Sequence, residues 1–154
     1  MRHTVLGAVF ALCVSAVLSL GCDSGGPPAA NSFTKVYTET IQPKCSNDYC
    51  HYNGANMRYS ALDLSSKVHA YSSLVGLPTM ASQCFERGMR VVPGHPETSI
   101  MYLNLQDPPL CGIRMPGDTA FRTNGISELT PGSALSDDEQ RRMFEWIREG
   151  AQSN

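Results

Sequence analysis

The chain has 154 residues, with 12 Lys and Arg against 14 Asp and Glu and a formal net charge of −2. That length points to one domain with a modest core. The near balance of charge, without any basic run, excludes the electrostatic footprint of a nucleic-acid binder, and its sign says little about a protein partner.

The chain opens with a segment that reads as an export signal. Arg2 gives a short positive start, Thr4 to Leu20 is uncharged and mostly apolar, and small residues follow. Leu18-Ser19-Leu20-Gly21-Cys22 resembles a bacterial lipobox, which makes Cys22 the expected lipidation site and new N-terminus. A transmembrane helix is the alternative, but the run is at the short end of the ~17–25 residues needed to span a bilayer. Residues 1–21 are therefore expected to be a signal peptide. Residues 22–31, rich in Gly, Pro and Ala, form a flexible tether. The folded domain is expected at 32–151, on the periplasmic side of a bacterial membrane and anchored to it by lipid. Loss of Arg2 with the signal leaves 11 basic residues against 14 acidic ones.

The expected helices are few and short. Ser32 is a candidate N-cap, and Phe33, Val36, Tyr37 and Ile41 keep helical spacing until Pro43, which predicts an end just before Cys45. Ser66 to Leu74 is a second candidate, stopped by Gly76 and Pro78. Pro96-Glu97-Thr98-Ser99 opens a third, with Ile100, Leu103 and Leu105 as its apolar side, and Asp107-Pro108-Pro109 ends it. The clearest helix is the last. Ser136 and Glu139 form a capping box, with Asp137 and Asp138 in the first turn, where the macrodipole favours acids. Met143, Phe144 and Ile147 make its stripe, with Trp146 beside them, and Gly150 stops it. Long loops, notably Cys111 to Leu135, separate these helices and carry no strand signal or repeat. The fold class is thus mostly α, with irregular loops that need something to pack against.

Cys45-Ser46-Asn47-Asp48-Tyr49-Cys50-His51 carries the chemistry. Two thiols lie close together and an imidazole directly follows the second. Each thiol can add across one vinyl group of a porphyrin, and the adjacent imidazole then falls beneath the iron. The usual spacing is C-x-x-C-H; here four residues separate the thiols. Two other readings stay open at this point. One is a local Cys45–Cys50 disulfide with His51 at the surface. The other is a zinc site drawing on Cys84, Cys111, His69 or His95, although no second ligand knuckle exists to complete a tetrahedral set.

Downstream lies Arg114-Met115-Pro116. A thioether is a soft axial ligand for haem iron, and His/Met ligation raises the reduction potential. Pro116 stiffens the loop that holds the sulfur. Met57, Met80, Met89 and Met101 are rivals, and His69 or His95 could replace Met115 in a bis-His site. Arg58, Arg90 and Arg114 are candidate partners for haem propionates, since guanidinium matches carboxylate geometry.

In this order of parts — amphipathic helix, Cys…Cys-His segment, Met-Pro loop, closing helix with an aromatic residue — the chain resembles a class I cytochrome c domain of the kind carried by exported bacterial lipoproteins. The resemblance covers about 32–151. Val92-Pro93-Gly94-His95-Pro96-Glu97-Thr98-Ser99 resembles the V-P-G-x-P-x-x-S segment of one subgroup, and the ending, with Trp146-Ile147 and Gly150-Ala151, is similar too. The C-x4-C-H spacing is its departure. The resemblance implies that first and last helices cross, with Phe33, Tyr37, Phe144 and Trp146 at the crossing. It implies haem c attached through Cys45 and Cys50, with His51 and Met115 as axial ligands. Such a protein is an electron carrier rather than a catalyst and meets a redox partner protein in the cell envelope. The alternative is a haem-free, disulfide-stabilised binding or structural lipoprotein.

Of the six cysteines, Cys13 lies in the signal and Cys22 is the lipid candidate. If haem takes Cys45 and Cys50, then Cys84 and Cys111 remain as a disulfide pair in an oxidising compartment. The bond would close a loop of about 27 residues and stabilise the fold by about 3 kcal/mol.

Overall fold

Ser32 caps the first helix by accepting a hydrogen bond from the Lys35 amide at 3.3 Å. In the computed structural model, which describes residues 29–46, 51–52, 62–112, 114–116 and 134–154, this helix runs through three segments. It is α-helical over Phe33–Val36, widens to a π-helix over Tyr37–Ile41, and returns to α-helix over Gln42–Lys44. The wide turn accounts for how Pro43 sits inside the helix instead of stopping it a turn earlier. The Gln42 amide bonds back to Tyr37 O, and the added residue per turn makes room at the carbonyls a proline ring would crowd. The helix then ends just before Cys45, as the sequence predicts. The signal segment with Cys22, together with Cys50, Met57, Arg58 and residues 117–133, lies outside the described residues.

The remaining elements are helical too. Lys67–Leu74 is capped by Ser66, whose hydroxyl accepts from the His69 amide. Pro96–Thr98 is a 3-10 turn and Ile100–Leu103 a short α-helix. The third expected helix is therefore broken at Ser99, for a visible reason. Ser99 is fully buried, accepts from the Val92 amide at 2.9 Å and donates to His95 O at 2.9 Å, so it ties the turn to the preceding strand-like segment rather than extending a helix. The last helix, Asp137–Arg148, carries the full capping box between Ser136 and Glu139. Among the described residues no strand forms. Two isolated bridges, Val75 with Val91 and Pro78 with Met89, hold the middle of the chain together.

The core forms where the first and last helices meet. Phe33, Val36, Tyr37 and Ile41 from one side pack with Met143, Trp146 and Ile147 from the other, and Leu64, Ala70, Leu74, Val91, Leu105 and Leu135 fill the space between. Phe33 lies 4.9 Å from Trp146 and 5.3 Å from Tyr71, ring centre to ring centre. Phe144 is not at this crossing, contrary to expectation. It stands half-buried on the flank of the last helix, against Tyr102 at 5.2 Å. The buried stripe is Met143, Trp146 and Ile147, which keeps i, i+3, i+4 spacing with Trp146 inside it. Part of the expected loop-rich middle supplies its own core residues, Leu64, Leu74, Val91 and Leu105.

The last described residues reach the start of the first helix in this crossing. The Phe33 amide donates to Asn154 Oδ1 at 3.0 Å and the Thr34 amide to Asn154 O at 2.8 Å, so Asn154 satisfies amide donors that the first turn leaves open. Asn31, at the end of the expected tether, bonds Glu149 at 3.1 Å.

Glu139 links the cap of the last helix to the end of the first. Its carboxylate accepts from the Ser136 amide at 2.7 Å and from Lys44 Nζ at 2.8 Å. Burial alone would raise its pKa, but the Lys44 and Ser136 bonds outweigh this and hold it below the usual carboxylate range. A lowered folded-state pKa gives stability that is present above the ordinary glutamate range and lost as pH falls through the folded value. Glu139→Gln is expected to cost about 1 kcal/mol at pH 7. Urea titrations at pH 7 and at successively lower pH check it, and the cost should shrink as pH falls through the folded-state value.

Candidate functional site

The first helix delivers Cys45 to the edge of the core. The Cys45 amide donates to Ile41 O at 2.8 Å and the Ser46 amide reaches the same oxygen at 3.0 Å. Cys45 is half-buried and packs on the core. The chain then returns, and the His51 amide donates to Cys45 O at 3.2 Å. One α-helical turn joins residues four apart; here residues six apart are joined. The longer spacing between the thiols thus leaves His51 bonded back to Cys45.

His51 is held from its other side as well. Its carbonyl accepts from the Leu64 amide at 2.8 Å. The carbonyl of the same Leu64 accepts from the Tyr37 hydroxyl at 3.3 Å, a buried bond. Burial, then the nearby Asp63 carboxylate and Tyr52, push the Tyr37 phenol above its ordinary value, so it stays protonated and donates. His51 itself is half-buried. Desolvation, with the Arg90 guanidinium adding to it, holds the imidazole down at about 4. It is therefore neutral at physiological pH, the form with a nitrogen lone pair to offer an iron.

Of the two described arginines considered from sequence, Arg90 is the one whose charge acts on His51. It is buried, and its Nη1 donates to Ser73 O. Arg114 is engaged elsewhere, donating from Nε to Leu105 O at 3.2 Å and lying 3.9 Å from Asp107. His69 and His95 stand at the surface beside carboxylates. His69 lies 3.2 Å from Asp63 and His95 3.2 Å from Glu97.

Cys84 and Cys111 form a disulfide with Cα atoms 5.4 Å apart, the pairing expected from the cysteine arithmetic. The bond removes both thiols as zinc ligands. Among the described residues no group of three or more His, Cys, Asp or Glu is placed to hold a metal ion. Asn104 organises this side of the domain. Its Oδ1 accepts from the Cys111 amide at 3.2 Å, its Nδ2 approaches Cys84 Sγ at 3.7 Å, and its backbone carbonyl accepts from the Met115 amide at 2.8 Å. Met115 is thereby anchored to the disulfide, with its side chain at the surface. Met80 and Met89 are more exposed, and Met101 packs on the core. The structure brings Cys45 to His51 and Cys84 to Cys111, whereas Met115 is fixed separately, on Asn104.

Sequence reasoning missed Leu64, Tyr37 and Asn104 as parts of this arrangement. Asn104 carried a faint signal, a short polar residue at the end of a helix. The Tyr37–Leu64–His51 contacts had none, because they join distant segments through a backbone group.

No family model matches the chain, and no solved structure matches it. A stretch of 61 residues, 39% of the chain, is 31% identical to the 3 beta-hydroxysteroid dehydrogenase/Delta 5-->4-isomerase of Mycobacterium tuberculosis, in the CDC 1551 / Oshkosh and ATCC 25618 / H37Rv strains alike. The match spans about 16% of the length of those curated relatives.

Proposed function

We propose that this chain is a monohaem c-type cytochrome, an electron carrier of the cell envelope built on a cytochrome c-like helical domain. The observation that supports it best is the neutral, half-buried His51 bonded back to Cys45. That donor set suits a covalently held haem: a thiol beside a lone-pair imidazole, on a backbone pinned at both ends. When bound, the haem supplies a one-electron iron couple. Cys45 and Cys50 would hold it covalently through their sulfurs. His51 and Met115 would supply the donors to its iron. Asn104 fixes the Met115 backbone, and Arg90 is the cation placed to offset negative charge near His51. Lipid on Cys22 would keep the domain at a membrane, within reach of a redox partner protein.

A second reading has its own support. The Phe33–Trp146–Tyr71 contacts and the Cys84–Cys111 bond suit a haem-free, disulfide-stabilised binding or structural lipoprotein. Denaturing electrophoresis with a haem stain separates the two readings. The protein is made in cells that mature other c-type cytochromes, beside a Cys45→Ala, Cys50→Ala double variant. Wild-type should stain and the double variant should not. An unstained wild-type band overturns the cytochrome reading in favour of the scaffold.

A further inference from the structure

We infer that Tyr37 is a positioning residue for His51, acting through the Leu64 peptide. As a statement about an axial ligand, this rests on the cytochrome reading above. The contacts close a ring. Tyr37 donates to Leu64 O at 3.3 Å, the Leu64 amide donates to His51 O at 2.8 Å, and the His51 amide donates to Cys45 O at 3.2 Å. From Cys45 the first helix leads back to Tyr37. Tyr37 and Leu64 are both buried, so water competes poorly for these bonds. His51 is pinned on its amide and on its carbonyl, which fixes the backbone from which its imidazole projects. In a closed ring, losing one bond loosens the placement of every other member. Tyr37 is where the side chain of the first helix enters that ring.

The core contains its own control. Tyr71 also lies against Phe33, and its hydroxyl donates to a backbone carbonyl, Ala151 O, at 3.0 Å. That bond ties the last residues of the chain to the core and does not touch the ring that holds His51. Tyr37→Phe and Tyr71→Phe each delete one hydroxyl and keep the aromatic packing. A merely structural role for Tyr37 would make the two variants alike.

The test compares both variants with wild-type in the full mature chain. Amide hydrogen exchange at Leu64 and His51 should quicken about five- to tenfold in Tyr37→Phe, the equivalent of one neutral hydrogen bond, and stay unchanged in Tyr71→Phe. In haem-loaded protein, Tyr37→Phe should shift the reduction potential and the low-spin ferric electron paramagnetic resonance signal, and Tyr71→Phe should move neither. Equal effects from both variants, or unchanged Leu64 exchange in Tyr37→Phe, overturn the proposal. Should wild-type take up no haem, the cytochrome reading fails on its own stain. The exchange arm then still decides whether Tyr37 holds the His51 backbone.

Discussion

Trp146→Ala is expected to destabilise the domain by about 3–5 kcal/mol, the range for deleting a buried aromatic side chain. The indole is almost fully buried in the crossing of the first and last helices. Its face meets Phe33 at 4.9 Å and its Nε1 donates to Gln152 O at 2.9 Å. Truncation removes the largest side chain of the core, leaves a cavity that Phe33 and Tyr71 can collapse into only partly, and strands the Gln152 carbonyl. Small domains hold about 5–15 kcal/mol in total, so the variant should be marginal at 37 °C. Urea denaturation followed by circular dichroism measures the loss. Trp146→Phe should recover part of it, since it restores a ring against Phe33 but loses the rest of the indole's volume and the N–H bond, the bond alone worth about 1 kcal/mol. A loss below about 1 kcal/mol for Trp146→Ala would mean that the helix crossing is not where the stability resides.

If the proposed cytochrome reading holds, Met115→Ala should change the haem-loaded protein more than any other single methionine substitution. Its backbone is fixed by the bond from its amide to Asn104 O, and Asn104 is fixed in turn by the disulfide. A sulfur presented from that anchored loop is a better ligand than one on Met80 or Met89, which stand more exposed on the loop over 78–89. Thioether ligation raises the potential relative to the ligands that would replace it, and axial ligand identity moves haem potentials over about 0.8 V. Met115→Ala is therefore expected to lower the potential by on the order of 0.1 V or more and to abolish the weak red absorption of Met-ligated ferric haem. Redox titration and the ferric spectrum read both. If Met80→Ala or Met89→Ala does this and Met115→Ala does not, the distal assignment moves to that residue.

Several features were legible because their causes are local. Ser32 and Ser136 announce helix starts by offering a hydroxyl to an amide three residues on, and both do so. Gly150, at a φ of 98°, takes the left-handed conformation that a side chain resists, just past the last helix. The disulfide was reached by subtraction: the signal, lipid and haem readings set Cys13, Cys22, Cys45 and Cys50 aside, which left Cys84 and Cys111. The Cys45–His51 segment was visible as donor chemistry, though not as geometry.

What the sequence by itself determined, then, is the mostly helical class, the caps at Ser32 and Ser136, the stop at Gly150, the identity of the candidate donors and, once the haem reading set Cys45 and Cys50 aside, the Cys84–Cys111 pair. Each depends on groups a few residues apart, or on how many cysteines there are. Only the tertiary structure decided that Trp146 and not Phe144 faces Phe33, that Asn154 completes the first helix, and that the Arg90 charge acts on His51. It also decided that the His51 backbone is braced through Leu64. These are contacts between segments tens of residues apart, many made by backbone groups that every residue carries. A sequence marks such contacts with no distinctive side chain, and packing alone selects which of them form.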